Sequence, residues 1–247
     1  MKTYKKESDF SYSPGSFATY ELLRNKPEAV RRVYIHSQCE KGNRDGVEDI
    51  CMKKNIPVAN DDKAFKSISQ KENVYIAGEF AKYSCSLSND APHIVLANPS
   101  DMGNLGAVIR SMAGFNIRDL AVITPAADIF NPKTVRSSMG SLFRIRFEFF
   151  GGYESYLDKF RLHKRYLFMS DGELELKQDL GKFVSDRFSL VFGNEACGLD
   201  ESLRKTGTCV KIPQSAEIDS YNLSVAAGIA MFVFSEANGF MKNNPQI

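Results

Sequence analysis

Several features that would assign this chain to a class are missing from it. Its longest apolar stretch, Leu223 to Phe234, is interrupted by Ser224 and Gly228 and is shorter than the ~20 residues a bilayer span needs. The first ten residues, MKTYKKESDF, carry charge but no apolar run of the kind a secretory leader has. The expectation is a cytoplasmic protein with no membrane association. The five cysteines (Cys39, Cys51, Cys85, Cys197 and Cys209) are odd in number and contain no Cys-x-x-Cys pair. That spacing argues against a disulfide framework and against a tetrahedral zinc site. The three histidines have no metal-like neighbours, so no metal is expected. Neither sign of charge dominates, with 32 Lys+Arg against 30 Asp+Glu and a net charge of +2. A histone-like polycation is excluded, and any nucleic-acid contact must come from local patches. Neither GxGxxG nor GxxxxGK[ST] occurs, which argues against a Rossmann dinucleotide site and a P-loop.

The content is that of an ordinary globular protein: 43% hydrophobic and 25% charged residues over 247 positions. This length accommodates one large or two modest domains and a sizeable core. Residues 1–13 are polar and read as a frayed terminus. From there to Ala77 short helices and strands alternate: helix Ser16–Leu23, strand Val30–His36, helix Gly46–Lys54, strand Ile56–Val58, helix Asp61–Ser69 and strand Asn73–Ala77. Residues 78–92 are small and polar, so the domain boundary is placed there, dividing the chain into 1–90 and 91–247. Strands are then predicted at His93–Ala97, Asp119–Thr124, Phe143–Phe150, Arg165–Met169, Ser189–Phe192 and Cys209–Ile212. Helices are predicted at Gly106–Gly114, Asn131–Ser138, Tyr153–Leu162 and Ser220–Ala237, the last apolar nearly all round and expected to be buried on several sides. Gly114 reads as the residue closing its helix and Asn104 as a cap at that helix's start. The alternation predicts an α/β fold with a mostly parallel sheet.

Three segments follow predicted strands and carry chemistry. The first is Asn98-Pro-Ser-Asp-Met-Gly-Asn-Leu-Gly-Ala-Val-Ile-Arg110. The second is Phe192-Gly-Asn-Glu-Ala-Cys-Gly-Leu199. The third runs from Ile212-Pro-Gln through Ser220-Tyr-Asn-Leu-Ser-Val-Ala-Ala227. Each taken alone fits a strand–turn–helix joint, a capped loop or an N-cap. In order and spacing together they resemble the SpoU-type (TrmH-like) RNA 2′-O-ribose methyltransferases of the SPOUT superfamily, over roughly residues 93–240. The segment Asn131 to Gly140 resembles a further stretch of that family.

The resemblance implies a C-terminal α/β-knot domain, trefoil-knotted around a mostly parallel sheet. It also implies a homodimer and S-adenosylmethionine as methyl donor. Residues 1–90 resemble the small ribosomal-protein-like α/β RNA-binding domain often fused to these enzymes, which directs the reading to ribosomal rather than transfer RNA. Carried over residue by residue, the catalytic set is Arg110, Asn104, Glu195, Ser220 and Asn222. Gly193, Ile212, Tyr221 and Leu223 would contact the cofactor. Lys133, Arg136, Arg144 and Arg146 are the candidate RNA contacts. A guanidinium with a pKa above ~12 is a poor proton acceptor. Arg110 is therefore read as stabilising the developing alkoxide or orienting a phosphate that relays the proton, and Glu195 as orienting Arg110 or serving as the base. Ala196 departs from the family's usual glycine, which matters only if that position needs a left-handed backbone. The alternatives are a transfer-RNA methyltransferase, a non-catalytic RNA-binding or assembly factor on the same fold, and a nicotinamide enzyme, for which the fingerprint is missing.

Overall fold

The computed structural model describes residues 3–68, 73–176, 185 and 187–241. They form two compact units, Met1–Ser84 with Asp128–Arg144, and Cys85–Ala127 with Ile145–Ile247. Of the predicted elements, only the last residue of the helix ending at Ser69 lies outside the described residues.

The first unit is built on a four-stranded sheet in the order β1-β4-β2-β3. Its strands are β1 (Phe10–Pro14), β2 (Val30–Ile35), β3 (Val58–Asn60) and β4 (Ile76–Ala81). Helices α1 (Ser16–Asn25), α2 (Lys41–Lys53) and α3 (Asp62–Ile68) connect them. The expectation of a frayed N-terminus fails here. All five residues of β1 are buried, and β1 pairs antiparallel with β4 from Phe10↔Ala81 to Pro14↔Ala77. Phe10 and Tyr12 supply the drive, since burying one large apolar side chain is worth roughly 1.5–3 kcal/mol. The serines between them are satisfied locally: Ser13 Oγ accepts from the Gly78 N–H at 3.1 Å and Ser11 Oγ donates to the Phe130 carbonyl.

Residues 128–144 cluster with this unit, although sequence pattern placed them in the C-terminal domain. The reason is aromatic burial. The rings of Phe130 and Phe143 lie 6.1 and 5.1 Å from that of Phe80, and the Tyr4 hydroxyl donates to Asp128. Within the segment, α5 (Pro132–Ser137) starts at an Asn131 cap whose side chain accepts from the Lys133 N–H.

The second unit holds a seven-stranded sheet, every pair parallel, in the order β7-β6-β5-β10-β8-β11-β9. Its strands are β5 (His93–Ala97), β6 (Asp119–Ile123), β7 (Arg146–Phe150), β8 (Lys164–Phe168), β9 (Leu174–Glu175), β10 (Phe188–Phe192) and β11 (Thr208–Lys211). Helices α4 (Met102–Gly114), α6 (Tyr153–Lys159) and α7 (Leu223–Ala237) complete it. The central strands β5 and β10 are buried along their whole length, as a sheet covered on both faces requires. After β5 the chain steps outward to β6 and β7. After β10 it passes to the opposite side, towards β11. The connections therefore diverge at the β5/β10 seam, and a crevice at the carboxyl ends of the strands is where open α/β sheets bind ligands.

Two local expectations change. The α4 cap is Asp101, whose carboxylate accepts the Asn104 N–H at 2.7 Å, so Asn104 lies inside the helix. The left-handed residue closing α4 is Asn116 (φ 56), with Gly114 still helical. Helix α7 is buried on several sides, as expected, through Leu223, Ala227, Ala230, Met231 and Phe234, while Val225 and Phe232 are 48% and 43% exposed. No helix among the described residues is long and apolar enough to cross a membrane.

Candidate active site

A cavity of about 620 Å³ opens at the carboxyl ends of β8, β10 and β11, within the size range of small-molecule sites. Three loops wall it: Phe168–Asp171 after β8, Phe192–Leu199 after β10, and Ile212 onward after β11 into the first turns of α7. Gly193, Ile212, Tyr221 and Leu223, the four candidate cofactor contacts, all line it, as do Glu195, Ser220 and Asn222. The sequence reading missed the β8 loop, although Met169-Ser-Asp-Gly172 follows a strand end as the other two loops do.

Gly193 is required by close approach. A Cβ there would meet the Gly198 carbonyl carbon at 2.0 Å and the Leu199 nitrogen at 2.3 Å. The loop turns back on itself through paired Asn194 and Gly198 backbone hydrogen bonds of 3.1 and 2.9 Å. Gly198 takes the left-handed conformation (φ 70), whereas Ala196 does not, so alanine at that position carries no backbone strain. Asn194 ties the loop to the strand beside it, donating from Nδ2 to the Asn98 carbonyl at 2.7 Å.

Glu195 joins two of the three motifs. Its Oε2 accepts from the Ser100 N–H (2.9 Å) and Ser100 Oγ (2.7 Å), and its Oε1 from the Asp101 N–H (3.1 Å) and Asn104 Nδ2 (3.2 Å). Asn104 continues the chain to the third motif, its Oδ1 accepting from Asn222 Nδ2 at 3.0 Å. Asn222 caps α7 by accepting from the N–H and Oγ of Ser224. Because Asp101 has taken the capping role, the Asn104 side chain is free to bridge the two loops. Partial burial by itself raises the Glu195 carboxyl. The hydrogen bonds from Ser100, from its own N–H and from Asp101 outweigh this and lower it to about 2. Ser100 and Asp101 were not legible as site residues, since nothing in a serine and a capping aspartate announces a carboxylate partner 94 residues away.

Arg110 and Glu195 are not brought together. All four hydrogen-bond partners of Glu195 above lie at the start of α4 or just before it, whereas Arg110 is exposed further along that helix and outside the cavity lining. The expectation that Glu195 orients Arg110 within one chain is corrected by this geometry. Among the described residues the cavity lining contains Asp171, Glu195, Glu201 and Asp219, and no Lys or Arg. Arg204, outside the lining, pairs with both Asp171 and Glu201.

The candidate RNA contacts separate into two kinds. Arg144 makes a two-pronged ion pair with Glu21, and Arg146 does the same with Asp119, whose side chain is fully buried. Both arginines are thus paired with carboxylates of their own unit, with 40% and 47% of their side chains exposed. Lys133 and Arg136 lie on α5, exposed and half-buried respectively. No group of three or more His, Cys, Asp or Glu arranged to hold a metal ion occurs among the described residues.

Comparison with known proteins places these features. A 23S rRNA (guanosine-2′-O)-methyltransferase of Bacillus subtilis is 31% identical over 138 residues, 53% of each protein. The chain thus spans about half the length of curated relatives matched at this identity. A 23S rRNA (guanosine-2′-O-)-methyltransferase of Xanthomonas axonopodis aligns over 88% of this chain and 93% of its own length at 25% identity. Among solved structures, the SpoU methyltransferase AviRb of Streptomyces viridochromogenes, in complex with the cofactor AdoMet, superposes with a TM-score of 0.78. It covers 95% of this chain and 92% of that one at 18% identity, a likeness of fold. The model of the SpoU rRNA Methylase family matches residues 91–232, which contain all three motifs and every wall of the cavity, and the chain belongs to that family.

Proposed function

We propose that this protein transfers a methyl group from S-adenosylmethionine to a ribose 2′-hydroxyl of ribosomal RNA. The observation that carries the reading is the locked junction of the three motifs, Glu195–Asn104–Asn222, beside a cavity whose lining, among the described residues, has carboxylates and no basic side chain. A phosphate-bearing cofactor would meet the carboxylates Asp171, Glu195, Glu201 and Asp219 there. A sulfonium donor is cationic, and the lining suits it.

S-adenosylmethionine, when bound, would supply the methyl group to the 2′-oxygen, with S-adenosylhomocysteine as the leaving group and the 2′-proton relayed through the neighbouring phosphate that Arg110 orients. Gly193, Ile212, Tyr221 and Leu223 hold the donor, and the Tyr221 ring is fixed by its hydroxyl donating to the Pro213 carbonyl at 3.1 Å. Glu195 is already ionised and has both oxygens occupied, so it positions the β10 loop against α4 and takes no proton. Arg110 contributes charge: it holds the phosphate beside the target ribose and stabilises the developing alkoxide. Ser220, exposed at the cavity, offers its hydroxyl to the ribose.

The protein acts as a homodimer in this reading. Val225 and Phe232 stand seven residues apart on one exposed face of α7, and a second copy would cover them. Arg110 lies outside its own chain's cavity, and pairing offers it the cavity of a partner. The sheet order, with β10 inserted between β5 and β8, supports the trefoil knot that the family resemblance implies. Residues 1–90 serve as the RNA-binding part, and the protein works in the cytoplasm.

The test is methyl transfer from tritiated S-adenosylmethionine to unmodified ribosomal RNA, with the modified ribose mapped. Arg110→Ala is expected to abolish transfer and leave cofactor binding near normal. Arg110→Lys should recover little, because lysine keeps the charge but loses the planar fork. Near wild-type turnover in Arg110→Ala would refute the assignment.

A further inference from the structure

The loop after β11 holds no helix or strand from Ile212 to Asn222, and side chains tie it together. It leaves the sheet at Lys211 and meets α7 at the Asn222 cap. Between these points its two limbs are joined twice. Gln214 Nε2 donates to the Ile218 carbonyl at 3.2 Å and to the Asp219 carbonyl at 3.0 Å. The Tyr221 hydroxyl reaches back to the Pro213 carbonyl at 3.1 Å. Gln214, Asp219, Ser220 and Tyr221 all line the cavity.

Peptide planarity determines what these bonds fix. Each peptide unit is rigid, so a hydrogen bond that orients a carbonyl also orients the nitrogen of the next residue. The Gln214 carboxamide holds two successive carbonyls, and with them the planes joining Ile218 to Asp219 and Asp219 to Ser220. Ser220 is thereby aimed from its N-terminal side. From its C-terminal side it is held by the tied Tyr221 ring and by Asn222, whose Nδ2 donates to Asn104 Oδ1 at 3.0 Å. Only a donor serves at position 214, because both partners are carbonyl oxygens. The carboxamide NH₂ carries the two hydrogens that the pair needs. Gln214 is exposed, so its clasp acts on the shape of the loop and little on global stability.

Resting on the methyltransferase reading, we propose that Gln214 is a positioning residue for methyl transfer: its carboxamide clasps the Ile218 and Asp219 carbonyls and so presents the Ser220 hydroxyl to the target ribose. Gln214 does not touch the reacting atoms, and its effect on rate passes through Ser220.

The test uses the full chain and steady-state transfer from tritiated S-adenosylmethionine to an unmodified 23S rRNA transcript, in a double-mutant cycle with Ser220→Ala. Gln214→Met keeps the length of the side chain and removes both donor hydrogens. It is expected to lower kcat about tenfold, the effect of losing one to two net hydrogen bonds, with KM for RNA and the melting temperature unchanged. Gln214→Glu has the same shape without a donor. It should lose at least as much at neutral pH, because a carboxylate then faces two carbonyls. Ser220 orients the ribose and takes no proton, so Ser220→Ala should retain transfer measurable by the radioactive assay. In that background Gln214→Met should have little further effect, since residues that act through one another are non-additive. A merely structural contribution would lower the melting temperature and would add in full. The proposal is overturned if Gln214→Met or Gln214→Glu keeps kcat within twofold of wild type, or if the cost of Gln214→Met persists undiminished in Ser220→Ala. A wild-type protein that transfers no methyl group to the transcript refutes the methyltransferase reading, and the clasp with it. An active wild type with Gln214→Met unaltered refutes the clasp alone.

Discussion

Replacing Glu195 by glutamine changes no shape and removes half of the acceptors at the junction of the motifs. Each carboxylate oxygen now accepts two donors: Ser100 N–H and Oγ at one, Asp101 N–H and Asn104 Nδ2 at the other. Glutamine keeps one oxygen and turns an NH₂ group towards the other pair, leaving two donors without an acceptor. A donor left unsatisfied costs about 1–3 kcal/mol when buried. The site is half-exposed, so the lower end applies and the pair together amounts to ~2 kcal/mol, a factor of about 30 at 1.36 kcal/mol per decade. We expect Glu195→Gln to lower kcat/KM for methylation of an unmodified rRNA transcript by about that factor, with the cofactor Kd rising as the β10 loop loosens. Glu195→Ala, which also loses the remaining contacts, should fall further. The pH profile gives a second arm. A carboxyl lowered to about 2 stays ionised across the neutral range and contributes no limb to the pH–rate curve there. Its contribution to stability is complete above about pH 4.5 and is lost as pH falls towards 2. Activity within threefold of wild type would refute the structural argument. A limb near pH 6–7 that disappears in Glu195→Gln would make Glu195 the base.

Gly193→Ala drives a Cβ into the Gly198 backbone at 2.0 Å. We expect a lower melting temperature and loss of S-adenosylmethionine binding by calorimetry, and an unchanged Kd would refute the close-approach argument. His93 and His163 are buried together with ring centroids 4.2 Å apart, and His93 bonds the Tyr156 hydroxyl (2.9 Å) and the Ser88 carbonyl (2.7 Å). Burial and the neighbouring His163 lower the His93 pKa to about 4, and burial lowers His163 in the same direction. The unfolded chain binds these protons first, so stability should be level above pH ~6.5 and fall as pH drops towards 4, by up to ~3 kcal/mol from His93. Denaturant melts at pH 7.5, 6.5, 5.5 and 4.5 check this, and a flat stability across that range would refute it.

Much of the second unit was legible because its strands are continuous apolar runs. His93–Ala97 matches β5 residue for residue, and Ser189–Phe192 falls within β10. Strands are read less well where polar residues alternate with buried ones. Phe-Ser-Tyr-Ser-Pro at Phe10–Pro14 looks like a polar terminus, and only pairing with β4 and hydrogen bonds to its serines make it a buried strand. Helix starts drifted for a related reason: Lys41 to Asp45 is polar, and α2 nonetheless begins at Lys41 because its buried Val47 and Cys51 anchor the helix from the far end. Arg144 and Arg146 had the composition of an RNA contact and proved to be ion-pair partners of Glu21 and Asp119, 123 and 27 residues away.

The sequence by itself determined the family, the parallel α/β class of the larger unit and the identity of the groups that carry chemistry, because spaced motifs at strand ends are local signals. Tertiary structure decided what those groups touch. It made Asp101 the cap and so released Asn104 to bridge Glu195 and Asn222. It added the β8 loop to the cavity, left Arg110 outside it, and assigned residues 128–144 to the first unit. Each of these depends on partners remote in sequence, where burial and hydrogen-bond satisfaction act and periodicity carries no information.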